Sequence, residues 1–462
     1  MRRITCILTL LLVCTPAALA QWDFVRIDTG LKAALSLGPA CSAEIAYMLE
    51  QNNGYVRHAR IPLRGSAMIS PVSEGYFYGP LDIVASATGE VFINYHDHDV
   101  ENQIVAVGTS GSWVLEEIVD DGHDGWDNYL FMSDDGTVHT SSVDPSSFNG
   151  RGVEYARRST TGFWSVEGVG STPIMYGNGT ALGMNTENQP IIAYFNDTTT
   201  DLELAERING SWNISIVDST GDTGRFPSMI VDESGNVHIA YYHAITFDSG
   251  SIRYAHRSNN GWTFTEVDTL TNVRIGSTGA RRIVALELAD DGQIHLAYAD
   301  RYSVKYAVGT PGNWSIETVS DFPPSGQATF GQQVDLARCA GDGSIHIVFH
   351  ELGAFGAVGD VVYARQLASV SVENGPDHKE LKLEIYPNPS NGSVFARVLG
   401  PSSLPSHLVV SDILGRIVYV DSQFMQGNSV FRIPSDELAP GLYIVQVRIG
   451  RETLTSTFIM RE

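Results

Sequence analysis

The chain is poor in cysteine: it has four in 462 residues, and Cys6 and Cys14 fall within the first fourteen positions. Only Cys41 and Cys339 lie further on, so neither a thiolate zinc cluster nor a disulfide-rich scaffold is available. Basic residues are scarce too, with 29 Lys and Arg against 53 Asp and Glu and a net charge of −24. That balance argues against nucleic acid and anionic membrane surfaces as partners, and its plain consequence is solubility outside a cell. Long apolar runs are missing: the longest, Ile4 to Cys14, falls far short of the roughly 20 residues that span a bilayer. No transmembrane segment is expected. Long helical patterns are absent as well, while 45 Gly and many aromatic residues are present, which points to an all-β chain.

The short apolar run has the layout of a secretory leader. Arg2 and Arg3 start it, and Ala18-Leu19-Ala20 supplies a small-x-small cleavage site, so residues 1–20 are expected to be a signal peptide. Val13 stands before Cys14 where a lipidation site requires a small residue, so a lipid anchor is not expected.

Beyond the leader the chain is built from repeats. The clearest unit reads PSMIVDESGNVHIAYYH, then SIRYAHRS, then NGWTFTEVD, and the next reads RRIVALELADDGQIHLAYAD, SVKYAVG and GNWSIETVSD. The anchoring tryptophans Trp113, Trp164, Trp212, Trp262 and Trp314 are 51, 48, 50 and 52 residues apart. A period near 50 with four short strands per unit is the signature of propeller blades, each a small sheet that must stack on its neighbours. Residues 35–73 form a degenerate first unit, with Ala67 in the tryptophan position. The last unit, 330–366, stops without its Gly-x-Trp strand. The missing strand stands at the other end: Gln21 to Asp28, QWDFVRID, matches GWTFTEVD and is expected to complete the last blade. This predicts a seven-bladed β-propeller closed by an N-terminal strand over residues 21–368, and closure disfavours an open solenoid because it removes exposed sheet edges. Cys41 and Cys339 both fall at the turn between first and second strands, of the first and last blades respectively, which allows one disulfide between them.

After Gln366 a polar stretch fits a linker, residues 369–382, and a different pattern fills 383–462. It contains Tyr386-Pro387-Asn388-Pro389-Ser390-Asn391-Gly392, LVVSDILGRIVY at 408–419 and ELAPGLYIVQVRIG at 437–450. On these motifs it resembles the type A C-terminal sorting domains of the type IX secretion system of Bacteroidetes-like bacteria. The resemblance implies a small immunoglobulin-like β-sandwich, a partnership with the type IX secretion machinery, and delivery through the periplasm to the cell surface or the medium. The last strand, TLTSTFIMRE, lacks the lysine that relatives often carry near the end.

Catalytic constellations are not found. The Ser-x-Asp-x-Gly-x-x-Trp turn of propeller sialidases does not occur, and no catalytic residue, metal ligand set or cofactor is assigned. His139, His238, His295 and His346 recur at one repeat position and so belong to separate blades, which favours packing over convergence on one ion. Asp97, Asp144, Asn196, His243, Asp300 and Glu351 end the same strands, where they suit loop capping better than a ring around the axis. Asp120 to Gly125 has the look of a calcium loop but lacks a ligand at its third position. The long connections carry Tyr76, Tyr78, Trp126, Tyr176, Arg225, Phe226, Arg282 and Phe330, aromatic and guanidinium groups of the kind that stack on sugars and clamp carboxylates, so these are the candidate ligand-binding residues. The same aromatics could equally fill gaps between blades. The leading expectation is a non-catalytic surface propeller that binds a glycan or a protein. Its rivals are a carbohydrate-active enzyme, glycoside hydrolase or polysaccharide lyase, using the long-loop face, and a structural role in a surface layer.

Overall fold

A computed structural model describes most of residues 22–366 and 382–461. Residues 1–21 and 367–381, and several connections including 119–124, 145–151, 171–177, 272–281, 322–332 and 352–358, lie outside the described residues. The chain divides into two compact units, 1–369 and 370–462. The described residues are almost wholly strand, with a single 3-10 turn at Pro39–Cys41.

In the first unit the repeat becomes antiparallel sheets. Residues 77–118, 126–168, 180–218, 222–271 and 284–321 each make one four-stranded sheet, and a seven-stranded sheet joins 334–366 to 22–75. Tight turns such as Asp232 to Asn236 link first to second strands, Asp232 Oδ1 accepting from the Ser234 and Asn236 amides at 2.9 and 2.8 Å. Exposure is concentrated in the outermost strand: Asn313–Asp321 is largely exposed, whereas Ile294–Ala299 is buried at every position. The inner strands are covered on both faces by neighbouring sheets, so they read as apolar runs.

Each apolar cluster joins two successive sheets. Tyr242, Ile252 and Tyr254 pack with Val284, Leu296 and Tyr298, and Tyr306 and Val319 pack with Val334, Ile347 and Trp22. Val348, Val361 and Tyr363 then pack with Ala33, Ile45 and Tyr47, so the last sheet also meets the first. The recurrent tryptophan is the latch between sheets. Trp212 meets Tyr155 edge-on at 5.7 Å, and Trp314 meets Tyr254 at 5.8 Å. Trp22 meets Tyr306 at 5.5 Å, and its Nε1 donates to Glu317 at 3.1 Å. The N-terminal segment thus plays the part of the missing Gly-x-Trp strand.

Strand Trp22–Leu37 serves two sheets. Residues 22–30 pair antiparallel with 359–366, and residues 31–37 pair with Ala43–Met48. Gly30 stands at the crossing, where an added Cβ would lie 2.8 Å from the Met48 carbonyl and 2.9 Å from Val361, so only glycine lets the strand pass between both partners. At the turns below, Cys41 and Cys339 are disulfide-bonded, with Cα atoms 5.7 Å apart and a sequence separation of 298.

The recurrent histidines pair within their sheets. Nδ1 of His139, His238, His295 and His346 lies 2.7, 2.5, 2.5 and 2.6 Å from the hydroxyls of Tyr155, Tyr254, Tyr306 and Tyr363. Burial pushes His139, His295 and His346 down to about 4, so each ring is neutral at pH 7 and accepts the tyrosine proton. The strand-end polar residues cap loops: Asn196 Oδ1 accepts from Thr198 N at 2.9 Å, and Asp300 Oδ1 from the Tyr302 and Ser303 amides at 2.7 Å each.

In the second unit, strands 382–386, 394–399 and 429–433 form one sheet and 405–412, 417–424, 441–449 and 452–460 the other. Both contribute to one core of Val394, Ala396, Phe431, Leu408, Val445 and Phe458. The Tyr-Pro-Asn-Pro motif is fastened to the final strand: Asn388 Nδ2 donates to the Thr457 carbonyl at 2.8 Å and its Oδ1 accepts from Ile459 N at 3.0 Å.

The closing strand gives the first prediction. Trp22→Ala, at a buried latch, is expected to cost about 3 kcal/mol, whereas Phe24→Ala, at a residue half exposed in the same strand, should cost well under that. Denaturant titration of both variants measures this, and equal losses would contradict the packing.

Candidate functional site at the axis and long-loop face

The innermost strands face one another without a further strand to pair with, so their backbone donors need other partners. Short polar side chains supply them. Asp82 Oδ2 accepts from Leu130 N in the next sheet at 2.7 Å, Ser228 Oγ from Leu286 N at 3.0 Å, and Asp335 Oδ2 from Leu35 N at 2.8 Å. Asp82, Tyr129, Ser228 and Asp335 stand at one position of the repeat, four residues before the tight turn, and so at one level of the axis.

Arg282 fills that level. Its Nη1 donates to Asp82 Oδ1 at 2.9 Å and lies 3.4 Å from Asp335 Oδ2, and its guanidinium sits 4.8 Å above the Tyr129 ring. Burial disfavours its charge, but the two carboxylates outweigh that and hold it protonated. Burial raises Asp335, and the Arg282 charge opposes the rise. Burial also drives Glu287, on the adjoining inner strand, up to about 8, with the Asp335 charge adding to the shift.

Toward the long loops the first residues of the inner strands form a shallow recess lined by Pro80, Asp127, Asn128, Gly179, Thr180, Phe226, Pro227 and Arg282. Asp127 is central to it: its Oδ2 accepts from Asn178 N at 3.0 Å, and its carbonyl accepts from Thr180 Oγ1 at 3.0 Å. Arg225 stands at the rim. It donates to Asp222 Oδ1 and to Asn178 Oδ1, both at 2.6 Å, and stacks 4.1 Å over the Phe195 ring. Phe226 follows with φ +55°, its amide donating to the Asn178 carbonyl at 2.6 Å. Gly224 makes that turn: at φ +103° its absent Cβ would fall 2.5 Å from Leu202 Cβ.

Lys32, from the closing strand, reaches Gly79 O at 2.6 Å. Burial lowers it to about 8 while the Asp127 charge pulls the other way. His350, on the last sheet, is pushed down to about 4 by burial and by Lys32. Both of its ring nitrogens, and both amide atoms of Gln333, are buried without a hydrogen-bond partner among the described residues.

Of the residues proposed from sequence, Phe226 and Arg282 line the recess and Arg225 borders it. Trp126 lies beside Asp127 with its ring 4.6 Å from His96. Phe226 and Trp126 are only 4 % and 8 % exposed, so they act as walls rather than open platforms. Tyr76, Tyr176 and Phe330 lie outside the described residues, as does the loop 119–124 that resembled a calcium site, and of Tyr78 only the backbone is described. Sequence reasoning missed Lys32, Asp82, Asp127, Asn178 and Asp335. Aligning the inner strands on their turns would have shown Asp82 and Asp335 at one level of the axis.

Substituting the axial cation gives the second prediction. Arg282→Met leaves Asp82 and Asp335 facing each other, buried and unpaired, and is expected to lower stability by about 3 to 5 kcal/mol at pH 7. Adding Asp82→Asn and Asp335→Asn should recover much of the loss, and chemical denaturation of the single and triple variants decides it.

Comparison with known proteins agrees with this division. Residues 384–461 match the family described as a secretion system C-terminal sorting domain. No curated protein matches the chain. Among solved structures, an ulvan lyase presented as a new family of polysaccharide lyase, bound to GlcA(1-4)Rha3S, aligns at 12 % identity and TM-score 0.50, covering 74 % of this chain and 95 % of that one. A lectin of Aleuria aurantia in complex with Fucα1-6GlcNAc aligns at 14 % identity and TM-score 0.45, covering 66 % of this chain and 100 % of that one. These likenesses concern the fold. Residues 384–461 are a type IX secretion C-terminal sorting domain, carried behind an all-β region of propeller-like four-stranded sheets.

Proposed function

We propose that the first unit is a seven-bladed β-propeller that binds glycan at its long-loop face, without catalysis, after export to the cell surface or the medium. The blades would be the five four-stranded sheets and the two halves of the seven-stranded one, with Trp22–Leu37 shared between first and last. We take residues 21–368 as this propeller, 369–382 as a linker and 383–462 as the sorting domain, an immunoglobulin-like sandwich. Residues 1–20 would be the leader that starts export.

The observation that carries the binding reading is the recess at the inner-strand ends, where Asp127, Asn128 and Arg282 meet the aromatic wall of Phe226. Carboxylate, amide and guanidinium groups held at fixed positions against an apolar wall suit sugar hydroxyls. Among the described residues, Arg225 is matched by Asp222 and Arg282 by Asp82 and Asp335. With the chain at −24 overall, a neutral glycan is favoured over a polyanion. The non-catalytic reading is supported by the same pairing: Asp82 and Asp335 hold Arg282 and backbone amides, so this pair is spent on structure and not poised as an acid and base.

Residues 21–462 on a glycan array are expected to retain neutral oligosaccharides and to leave polysaccharides uncut. Arg225→Ala, which frees Asn178 and strips the rim, should weaken retention about tenfold, the loss of one charge-assisted contact. Release of unsaturated or reducing ends would instead support the enzyme reading. For export, a chain ending at residue 382 should fold and remain in the periplasm, read by fractionation; its normal appearance in the medium would refute the role given to the tail.

A further inference from the structure

The turn between the second and third strands of the sheet 77–118 has a composition that its counterparts lack. It runs His96-Asp97-His98-Asp99-Val100-Glu101, between strands Val91–Asp97 and Asn102–Thr109. The equivalent turn in the sheet 180–218 runs Phe195-Asn196-Asp197-Thr198-Thr199-Thr200 and has the same backbone bend, with φ +62° at Thr200 against +58° at Glu101. The fold therefore makes this turn with neither histidine and with no glutamate at those places. In place of Phe195, Asp197 and Thr200 the chain has two histidines and a glutamate, three side chains that all can ligate a metal.

Their geometry is convergent. Ligand atoms of His96, His98 and Glu101 all lie within 4.8 Å of one another. The Glu101 carboxylate reaches both rings, 3.0 Å from His98 Nδ1 and 3.7 Å from His96 Nε2. Bonds of about 2.0 to 2.1 Å in a tetrahedron place ligand atoms roughly 3.4 Å apart, so closing the triad on an ion needs shifts of no more than about 1.4 Å. His96 is fully buried and held under the Trp126 ring, while His98 and Glu101 are about one-third exposed. One ligand is thus fixed by packing, two can close from the solvent side, and a fourth position is left for water or a ligand group.

We infer that His96, His98 and Glu101 form a binding site for a divalent zinc-class ion. Two imidazoles and one carboxylate are a donor set suited to Zn2+. An oxidising location, marked by the Cys41–Cys339 disulfide, favours a redox-inert ion over ferrous iron. The site is joined to the recess only through Trp126, which packs on His96 and precedes Asp127 in the chain, and its existence does not depend on what the recess binds.

The test uses tag-free residues 21–462, stripped with chelator. Titration with Co2+ should give one ion per chain and the intense visible d–d bands of a low-symmetry site, and Zn2+ should displace it. His98→Ala and Glu101→Gln, both at partly exposed positions, should each weaken binding at least about tenfold while the melting temperature of the metal-free protein stays within a few degrees. His96 is left intact because it is packed in the core. Lack of saturable Co2+ or Zn2+ binding below about 1 mM would overturn the inference, as would unchanged affinity in the double variant.

Discussion

One strand makes the first unit a closed object. Trp22–Leu37 completes the sheet that ends at Gln366 and then, past Gly30, becomes the innermost strand of the sheet that ends at Gly75. Without it the strand Gly359–Gln366 would present a free edge, and unpaired edges are sites of aggregation. The disulfide ties the same two sheets at their turns, and in the chain-entropy picture a loop of this length is worth about 5 kcal/mol. Backbone pairing and a covalent bond thus act on one junction, where the last sheet meets the first, while the edge-to-face Trp22 fastens the last sheet to the one before it.

The axis shows a different economy. Inner strands that face one another cannot all satisfy their donors by pairing, so aspartate and serine side chains bridge to the following strand, and two of the aspartates share one arginine in the middle. Arg282 is bound on several sides at once by Asp82, Asp335 and the Tyr129 ring. The network positions the floor of the recess, since the residue whose guanidinium is fixed below also lines it above.

The sequence made the periodic parts readable and left the singular ones hidden. Trp22 could be matched to Trp262 and Trp314 because all three close the same strand pattern, and Cys41 and Cys339 could be placed together because turn position fixes their face. Burial of the inner strands on both sides is not legible from one repeat taken alone, because Ile294 to Ala299 reports the neighbouring sheets and not its own pleat. The contact of Arg282 with Asp82 spans 200 residues and obeys no period, since only one copy of the repeat can occupy the centre. Arg225 and Phe226 were found from chemistry alone, while Asp127 and Lys32, which do as much to shape the mouth, look in sequence like ordinary surface charges. Tyr76, Tyr176 and Phe330 belong to the long connections, where neither a period nor a packing partner in the repeat constrains the reading.

The shared strand also sets a clock. Because residues 22–30 pair with 359–366, the N-terminal strand must wait for the far end of the first unit before its own hydrogen bonds can form. Contacts of such sequence separation fold slowly, since loop closure has to precede any gain from them. The sorting domain at 384–461 is made later still. By the time the address for export exists, the first unit has every residue it needs to shut, so the order of synthesis itself favours presenting the secretion machinery with a finished cargo.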